Sequence, residues 1–457
     1  MKRRKHIVIN SKCIHEIFLF LLMIFFTVFL IPASAKADDP IVIVIDPGHG
    51  GGNLGAEYDG YTEKNMTMIV ARAMKEELEK YDGVVVYLTH ETDLDMSIKD
   101  RAVFAKERKA DFLFCLHFNS SVEHTLFGAE VWVPASGEYY AKGYSFAQVE
   151  MKELTDIGLY SRGIKTRLND QNENYYGILR YCTSEGIPAA LIEHCHLDQD
   201  KDKRFYQQGN EQLETFGRLD ATAVAKYFGL KSEVLGIDYS EYPVPKTDIP
   251  SDIVRPDKTK PDLCRIEVEE INPETGEVSI RMEAEDTDSF ILYYSYSIDG
   301  GATYVLPEEW PRPEAWNQSS KDIQFTISVP FDEKIELLAK ASNGFDVWTE
   351  SNMIEIDPIK VPESPIDEVV ETQEDENEQG EEEIQEETEE EATEEETIRE
   401  EEQKILMETP EAIEMDRNTT NKTLIIVIII MLILCMFFVS FFMAKTIFLL
   451  IKDNKKQ

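Results

Sequence analysis

The stretch IVIVIDPGHGGG, Ile41 to Gly52, constrains the fold of this chain more than any other. Five β-favouring apolar residues run into Asp46, Pro47 and a histidine, His49, set among four glycines. That is how a buried strand ends by delivering a side chain to an exposed loop. From Ile41 to about Leu230 strand-like and helix-like patterns alternate, which predicts an α/β domain with a mostly parallel sheet flanked by helices. Thr62 to Tyr81 carries apolar residues at helical spacing, with Thr62 placed to cap it. Val84–Leu88, Phe112–Leu116, Gly128–Val133 and Ile187–Ile192 read as strands. Ile98–Lys109, Ala141–Thr155 and Gln212–Phe228 read as helices, and the polar run Gly163–Tyr176 reads as a loop at the rim of the site.

The remainder of the 457 residues divides by texture. Residues 1–37 combine Lys2, Arg3, Arg4 and Lys5 with an apolar run and a small-x-small pattern, which predicts a secretory signal peptide. The α/β domain is then expected at 38–230 and a Pro-rich linker at 231–262. A small all-β sandwich of fibronectin- or immunoglobulin-like texture follows at 263–360. Residues 361–421 hold an acidic linker expected to be disordered: between Glu363 and Asp416 lie 26 acidic residues against two basic ones, more than half of the net charge of −42. Leu424 to Met443 is free of charge and long enough to span a bilayer, so 422–444 is expected to be a transmembrane helix. The lysines of 445–457 place that tail in the cytoplasm and the rest of the mature chain outside the cell. The acidic balance and the lack of a basic patch argue against nucleic-acid binding. Cys115, Cys182, Cys195 and Cys264 form no CxxC pair and are expected as free thiols, a Cys115 to Cys195 bridge being the alternative.

Sites in open α/β sheets form beyond the carboxyl ends of the strands. His49 stands there, as do His117 after the Phe112 strand, Glu193 after the Ile187 strand and Glu63 at the entry to the first helix. Two imidazoles and a carboxylate are a zinc-ligand set that leaves a fourth position open, and a further carboxylate can move protons beside it. The bland alternative is two strand-end histidines, a helix-start charge and an ion-pair partner.

IDPGHGG, Glu63 within TEKN, THETD followed by SIKDR, ADFLFCLHFNSS, GAEVWV, SRGIK, GILRY and IPAALIE occur in one order. Together they resemble the catalytic domain of N-acetylmuramoyl-L-alanine amidases of the amidase-3 type, over roughly Ile41 to Leu230. The resemblance implies zinc held by His49, Glu63 and His117, with Glu193 as acid/base. It also implies peptidoglycan as substrate, cut at the amide between N-acetylmuramic acid and L-alanine in wall remodelling or cell separation. Asp46 is expected to orient the loop or a ligand histidine, and Asn119 and Arg180 to touch substrate. The chain departs from the family pattern after Glu193, where His194, Cys195, His196, Leu197, Asp198 and Gln199 stand, and at His90 in place of the usual arginine. That departure keeps open a non-catalytic peptidoglycan-binding or regulatory module, and a zinc peptidase is a further alternative. The sandwich is expected to contact wall or protein, and the C-terminal helix the membrane.

Overall fold

The computed structural model describes residues 39–312 and 319–361. The signal peptide, acidic linker, transmembrane helix and cytoplasmic tail expected from sequence lie outside the described residues. Among the described residues no helix is long and apolar enough to cross a membrane.

The chain opens with β1 (Ile41–Pro47), a short hairpin β2 (Glu57–Tyr58) and β3 (Tyr61–Thr62), then α1 (Glu63–Leu78), β4 (Val84–Leu88) and α2 (Ile98–Glu107). Next come β5 (Phe112–Asn119), β6 (Ala129–Trp132), α3 (Gly137–Asp156), β7 (Ser161–Lys165) and α4 (Gly177–Glu185). The domain closes with β8 (Ala189–His196), a one-turn α5 (Asp200–Lys203) and α6 (Asn210–Phe228). The six-stranded sheet has the order β4-β1-β5-β8-β6-β7. Its neighbours are parallel except at β6 and β8, which run antiparallel.

Alternation along the strands sends two sets of apolar side chains to opposite faces. Ile43, Ile45, Phe112, Phe114 and Ile192 pack with α1, α3 and α6, while Val44, Leu113, Cys115 and Leu191 pack with α2 and α4. The rings of Phe112, Phe114 and Phe146 lie 4.5 to 5.5 Å apart, and truncating any one to alanine should cost about 3–5 kcal/mol. The second face carries Asp46, His117 and Glu193 outward at the strand ends, because each follows an apolar residue two positions back.

Two elements differ from the sequence pattern. Gly163–Lys165, within the run expected as a polar loop, belongs to strand β7, and GILRYCTSE, to which the sequence pattern assigns no element, forms α4. Thr62 precedes α1 without a side-chain capping bond; the Glu63 and Lys64 amides instead donate to the carbonyls of Ala56 and Leu54. The four cysteines of the described residues are free, and Cys115, Cys182 and Cys195 are buried.

The Pro-rich segment is extended but tied down. β9 (Lys231–Ser232) and β10 (Ile237–Asp238) form a small ribbon, and Ile237, Tyr239, Tyr242 and Val244 pack against the α/β core. Further on, the Val254 amide donates to Ala135 O and Thr166 Oγ1 donates to Val254 O, so this strap follows the domain surface. Beyond it lie β11 (Leu263–Asn272), β12 (Glu277–Glu285), β13 (Ile291–Ser297), β14 (Glu308–Glu309), β15 (Asp322–Ser328), β16 (Ile335–Asn343), β17 (Trp348–Glu350) and β18 (Ile354–Ile356). These strands form two antiparallel sheets that share one core around Ile280, Met282, Leu337 and Trp310. A separate cluster joins this β domain to the first: Phe127 and Tyr160 pack on Phe290, Leu292, Tyr293 and Trp348. The Tyr293 hydroxyl also donates to Phe127 O.

Candidate metal centre and active site

His49 lies two residues beyond β1 with φ 67°, a left-handed conformation that costs a non-glycine residue of order 1–3 kcal/mol and must be imposed by its surroundings. Arg101 imposes it from α2. Its guanidinium donates to Asp46 Oδ1 at 2.8 Å, to Pro47 O at 2.7 Å and to His49 O at 2.5 Å. Asp46, fully buried, also accepts from Thr89 Oγ1 at 2.6 Å and Cys115 Sγ at 3.2 Å. Asp46 therefore orients the loop through Arg101, with no direct bond to a histidine ring among those contacts.

His49 Nε2 lies 2.9 Å from Glu63 Oε2, and His117 Nδ1 lies 2.9 Å from Glu63 Oε1. One donor atom from each residue falls within 4.8 Å of the others. The residues fit a zinc ion: the donor set is two nitrogens and a carboxylate oxygen, and the backbone makes room for it. A Cβ at Gly55 would sit 2.5 Å from Glu63 Oε2 and 2.6 Å from His49 Cδ2, and one at Gly48 would sit 2.6 Å from His117 Cε1. Asn53 Oδ1 stands 3.0 Å from His49 Nδ1, which fixes the ring so that Nε2 points into the cluster. The Ala56 and Phe118 amides complete the donors to Glu63 at 2.8 and 3.0 Å. Burial alone would raise the proton affinity of Glu63, but the hydrogen bonds from His117 and His49 outweigh it and hold the carboxyl well below its usual range.

The sheet register places the remaining carboxylates. His117 of β5 pairs with Glu193 of β8, and Glu193 pairs with Glu130 of β6, so three functional side chains occupy one row. Glu193 is buried and its Oε2 has no hydrogen-bond partner. Burial first, then the charges of Glu63 and Glu130, push its proton affinity well above that of an ordinary carboxyl. A carboxyl with raised proton affinity and a free oxygen is suited to taking up a proton and giving it back. Glu130 meets the reverse environment. Arg162 Nε and Lys165 Nζ each donate to its Oε2 at 2.8 Å, while Asn119 Nδ2 and Trp132 Nε1 donate to Oε1. Desolvation opposes its charge, yet Arg162 and Lys165 lower its proton affinity below the usual range.

The unusual sequence after Glu193 continues the strand. Between His117 and Asn119 the partner positions step from Glu193 to His196, a bulge that turns His194 and His196 to opposite faces. His194 is fully buried between Phe118 and Phe216, with Nε2 3.1 Å from both Asp220 oxygens. His196 stacks no ligand role on this arrangement: its Nδ1 is 3.2 Å from Gly128 O, and burial together with Arg162 pushes its pKa down to about 3. His90 is buried beside Thr89, and the half-exposed His124 pairs with Asp198. Arg180 donates to the carbonyls of Asn174 and Tyr175, holding the loop before α4. Asn119 faces the cavity beyond Glu193, whereas Arg180 is absent from its lining. Glu130, Arg162, Lys165, Arg101 and Asn53 were not singled out from sequence; a glutamate inside the apolar strand GAEVWV was the one available signal.

A mixed α/β sheet carrying a His-Glu-His cluster beside a buried carboxyl of raised proton affinity has the make-up of a candidate hydrolase metal site. The family model described as N-acetylmuramoyl-L-alanine amidase matches residues 43–225. The sporulation-specific N-acetylmuramoyl-L-alanine amidase of Bacillus subtilis is 30% identical over 192 residues, 42% of this chain and 69% of that protein. The probable N-acetylmuramoyl-L-alanine amidase AmiB of Haemophilus influenzae is 37% identical over 115 residues, 25% of this chain and 26% of that protein. The chain thus spans about a quarter of the Haemophilus relative. The solved catalytic domain of CwlV, an N-acetylmuramoyl-L-alanine amidase from Bacillus (Paenibacillus) polymyxa var. colistinus, is 25% identical. It covers 42% of this chain and 99% of that one with a TM-score of 0.37. The chain belongs to the N-acetylmuramoyl-L-alanine amidase family.

Proposed function

We propose that the chain is a zinc-dependent peptidoglycan hydrolase that cleaves the amide between N-acetylmuramic acid and L-alanine of the stem peptide. The observation that carries this reading is the convergence of His49, Glu63 and His117 in one cluster, with His117 paired in the sheet to Glu193 and its unpartnered carboxyl oxygen, in a chain of this family. His49, Glu63 and His117 would hold the zinc, which when bound supplies Lewis-acid activation of water and of the scissile carbonyl. Glu193 takes a proton from the attacking water and delivers it to the departing amine of L-alanine, one carboxyl serving both steps. Glu130, neutralised by Arg162 and Lys165, keeps a charged neighbour beside Glu193 without adding a second proton carrier.

The cellular setting belongs to the same proposal. A signal peptide at 1–37 and a membrane helix at 422–444 would hold the catalytic domain outside the cell at the end of an acidic tether, for wall remodelling or cell separation. Protease added to intact wall-stripped cells should degrade the catalytic domain and spare the C-terminal tail; protection of the domain would refute that orientation. For the reaction, the full chain is incubated with purified peptidoglycan and the products are read by mass spectrometry. New free L-alanine amino groups that vanish on chelation and return with zinc are the expected result, and cleavage at another bond would replace the reading.

A further inference from the structure

Past Glu130 the site opens into a cavity of about 480 Å³ whose walls come from three parts of the chain. Asn119 and Glu130 belong to the sheet, Lys258 to the strap and Phe345 to the turn after β16 in the β domain. That turn is fastened. Asn343 is fully buried; its Oδ1 accepts from the Phe345 and Val347 amides, and its Nδ2 donates to Asp257 Oδ2 at 2.8 Å and Thr259 O at 3.0 Å. Arg162 reaches across from β7 to Asp346 Oδ2 at 2.8 Å and the Tyr293 hydroxyl at 2.9 Å. Buried polar contacts of this kind, which leave Asp346 Oδ1 without a partner, make the wall a built part of the cleft.

The charge of the lining differs from that of the chain. Against a net charge of −42, the cavity presents Arg162, Lys165, Arg167 and Lys258 with three carboxylates, Glu130, Asp257 and Asp346. Each carboxylate is engaged: Glu130 by Arg162 and Lys165, Asp346 by Arg162, Asp257 by Asn343 and Thr259. Arg167 stacks on the Tyr175 ring at 3.8 Å, and among the described residues neither it nor Lys258 pairs with a carboxylate. Both also line a second hollow of about 370 Å³ bounded by residues 168–171, so they stand where the two cavities meet.

We propose that the strap and the β domain complete the substrate cleft, and that Arg167 and Lys258 bind a carboxylate of the peptide stem. This rests on the amidase reading. A stem whose first amide lies at Glu193 extends by about 3.3 Å per residue, so its later residues run out along the cleft. A carboxylate there meets a planar guanidinium and an ammonium that pair with no carboxylate among the described residues, Asp170 being the acidic residue that lines the second hollow with them.

The test uses the full chain and two soluble muramoyl-peptides that differ only in having free or amidated stem carboxylates. Arg167→Glu with Lys258→Glu should lower kcat/KM on the free-acid substrate about tenfold or more and spare the amidated one. Both residues are exposed, so folding is not at stake. Equal loss on both substrates, or no loss on either, overturns the proposal. Calorimetric binding of the free-acid peptide to the Glu193→Gln chain supplies a readout without turnover: Lys258→Glu should weaken it about tenfold, and unchanged binding overturns the subsite. A chain that binds in this Lys258-dependent way but cleaves nothing would sink the amidase reading and keep the subsite. One that cleaves both substrates alike would do the opposite.

Discussion

Glu63 and Glu193 are both buried at the same edge of the sheet, and they meet opposite company. Glu63 is surrounded by two imidazoles and two backbone amides, so its negative charge is fully answered. Glu193 keeps one oxygen without a partner and faces the charges of two other carboxylates, which together with burial raise its proton affinity. Glu130, one strand further, carries two cations on one oxygen. Residue type therefore says little about role; the donors within about 3 Å separate a ligand from a proton carrier and from a structural charge.

The sharpest way to break this contrast is to neutralise each carboxyl in turn. Glu193→Gln should lower turnover of peptidoglycan about 10²–10⁴-fold while zinc content stays at the unsubstituted level. Glu63→Gln should lose the metal itself. Equal zinc content in both variants, measured by elemental analysis, would mean that the two carboxylates do not differ as argued.

A stability measurement probes the third carboxylate. Arg162→Met leaves Lys165 as the one cation bonded to Glu130 and cuts the links to Asp346 and Tyr293. Loss of one partner from a buried ion cluster costs about 3–5 kcal/mol, and denaturant titration of the full chain should show it. A variant as stable as the original would show that Glu130 is not held charged by its neighbours.

How much of this was legible in the sequence follows from how local each signal is. IVIVI and the helical spacing of Met66, Ile69, Val70 and Ala73 depend only on near neighbours, and the strand and helix they predict are present. His49, His117 and Glu193 were visible because each follows an apolar strand, and Glu63 because it stands at the entry to the first helix. β7 was not, because Arg162 and Lys165 make SRGIK look solvent-facing. They point inward only because Glu130 waits on β6, more than thirty residues away. The position of Arg180 likewise depends on carbonyls offered by a folded loop. The strap's proline content announced an extended chain, but its contacts with the α/β core needed both surfaces in place.

Asn53 tests a smaller effect on the Glu63 side of the comparison. Its Oδ1 meets His49 Nδ1 and accepts from the Gly55 amide beside the cluster, so Asn53→Ala should weaken zinc binding about 10–100-fold in a competition titration. Unchanged affinity would mean that the strained His49 backbone alone orients the ring.

The smallest expected change concerns the helix that delivers Glu63. A threonine before a helix ordinarily contributes about 1 kcal/mol by accepting a first-turn amide, and Ser97 does this for α2 through the Asp100 amide at 3.1 Å. Thr62 does not, since the carbonyls of Leu54 and Ala56 have taken the Lys64 and Glu63 amides. Thr62→Ala should therefore shift stability by less than about 0.5 kcal/mol, and Ser97→Ala by about 1 kcal/mol in the same denaturant titration. Equal losses would mean that α1 relies on its threonine after all. The pattern expected instead ties the start of α1 to the 54–56 loop, so that the backbone placing the ligand carboxylate also starts its helix.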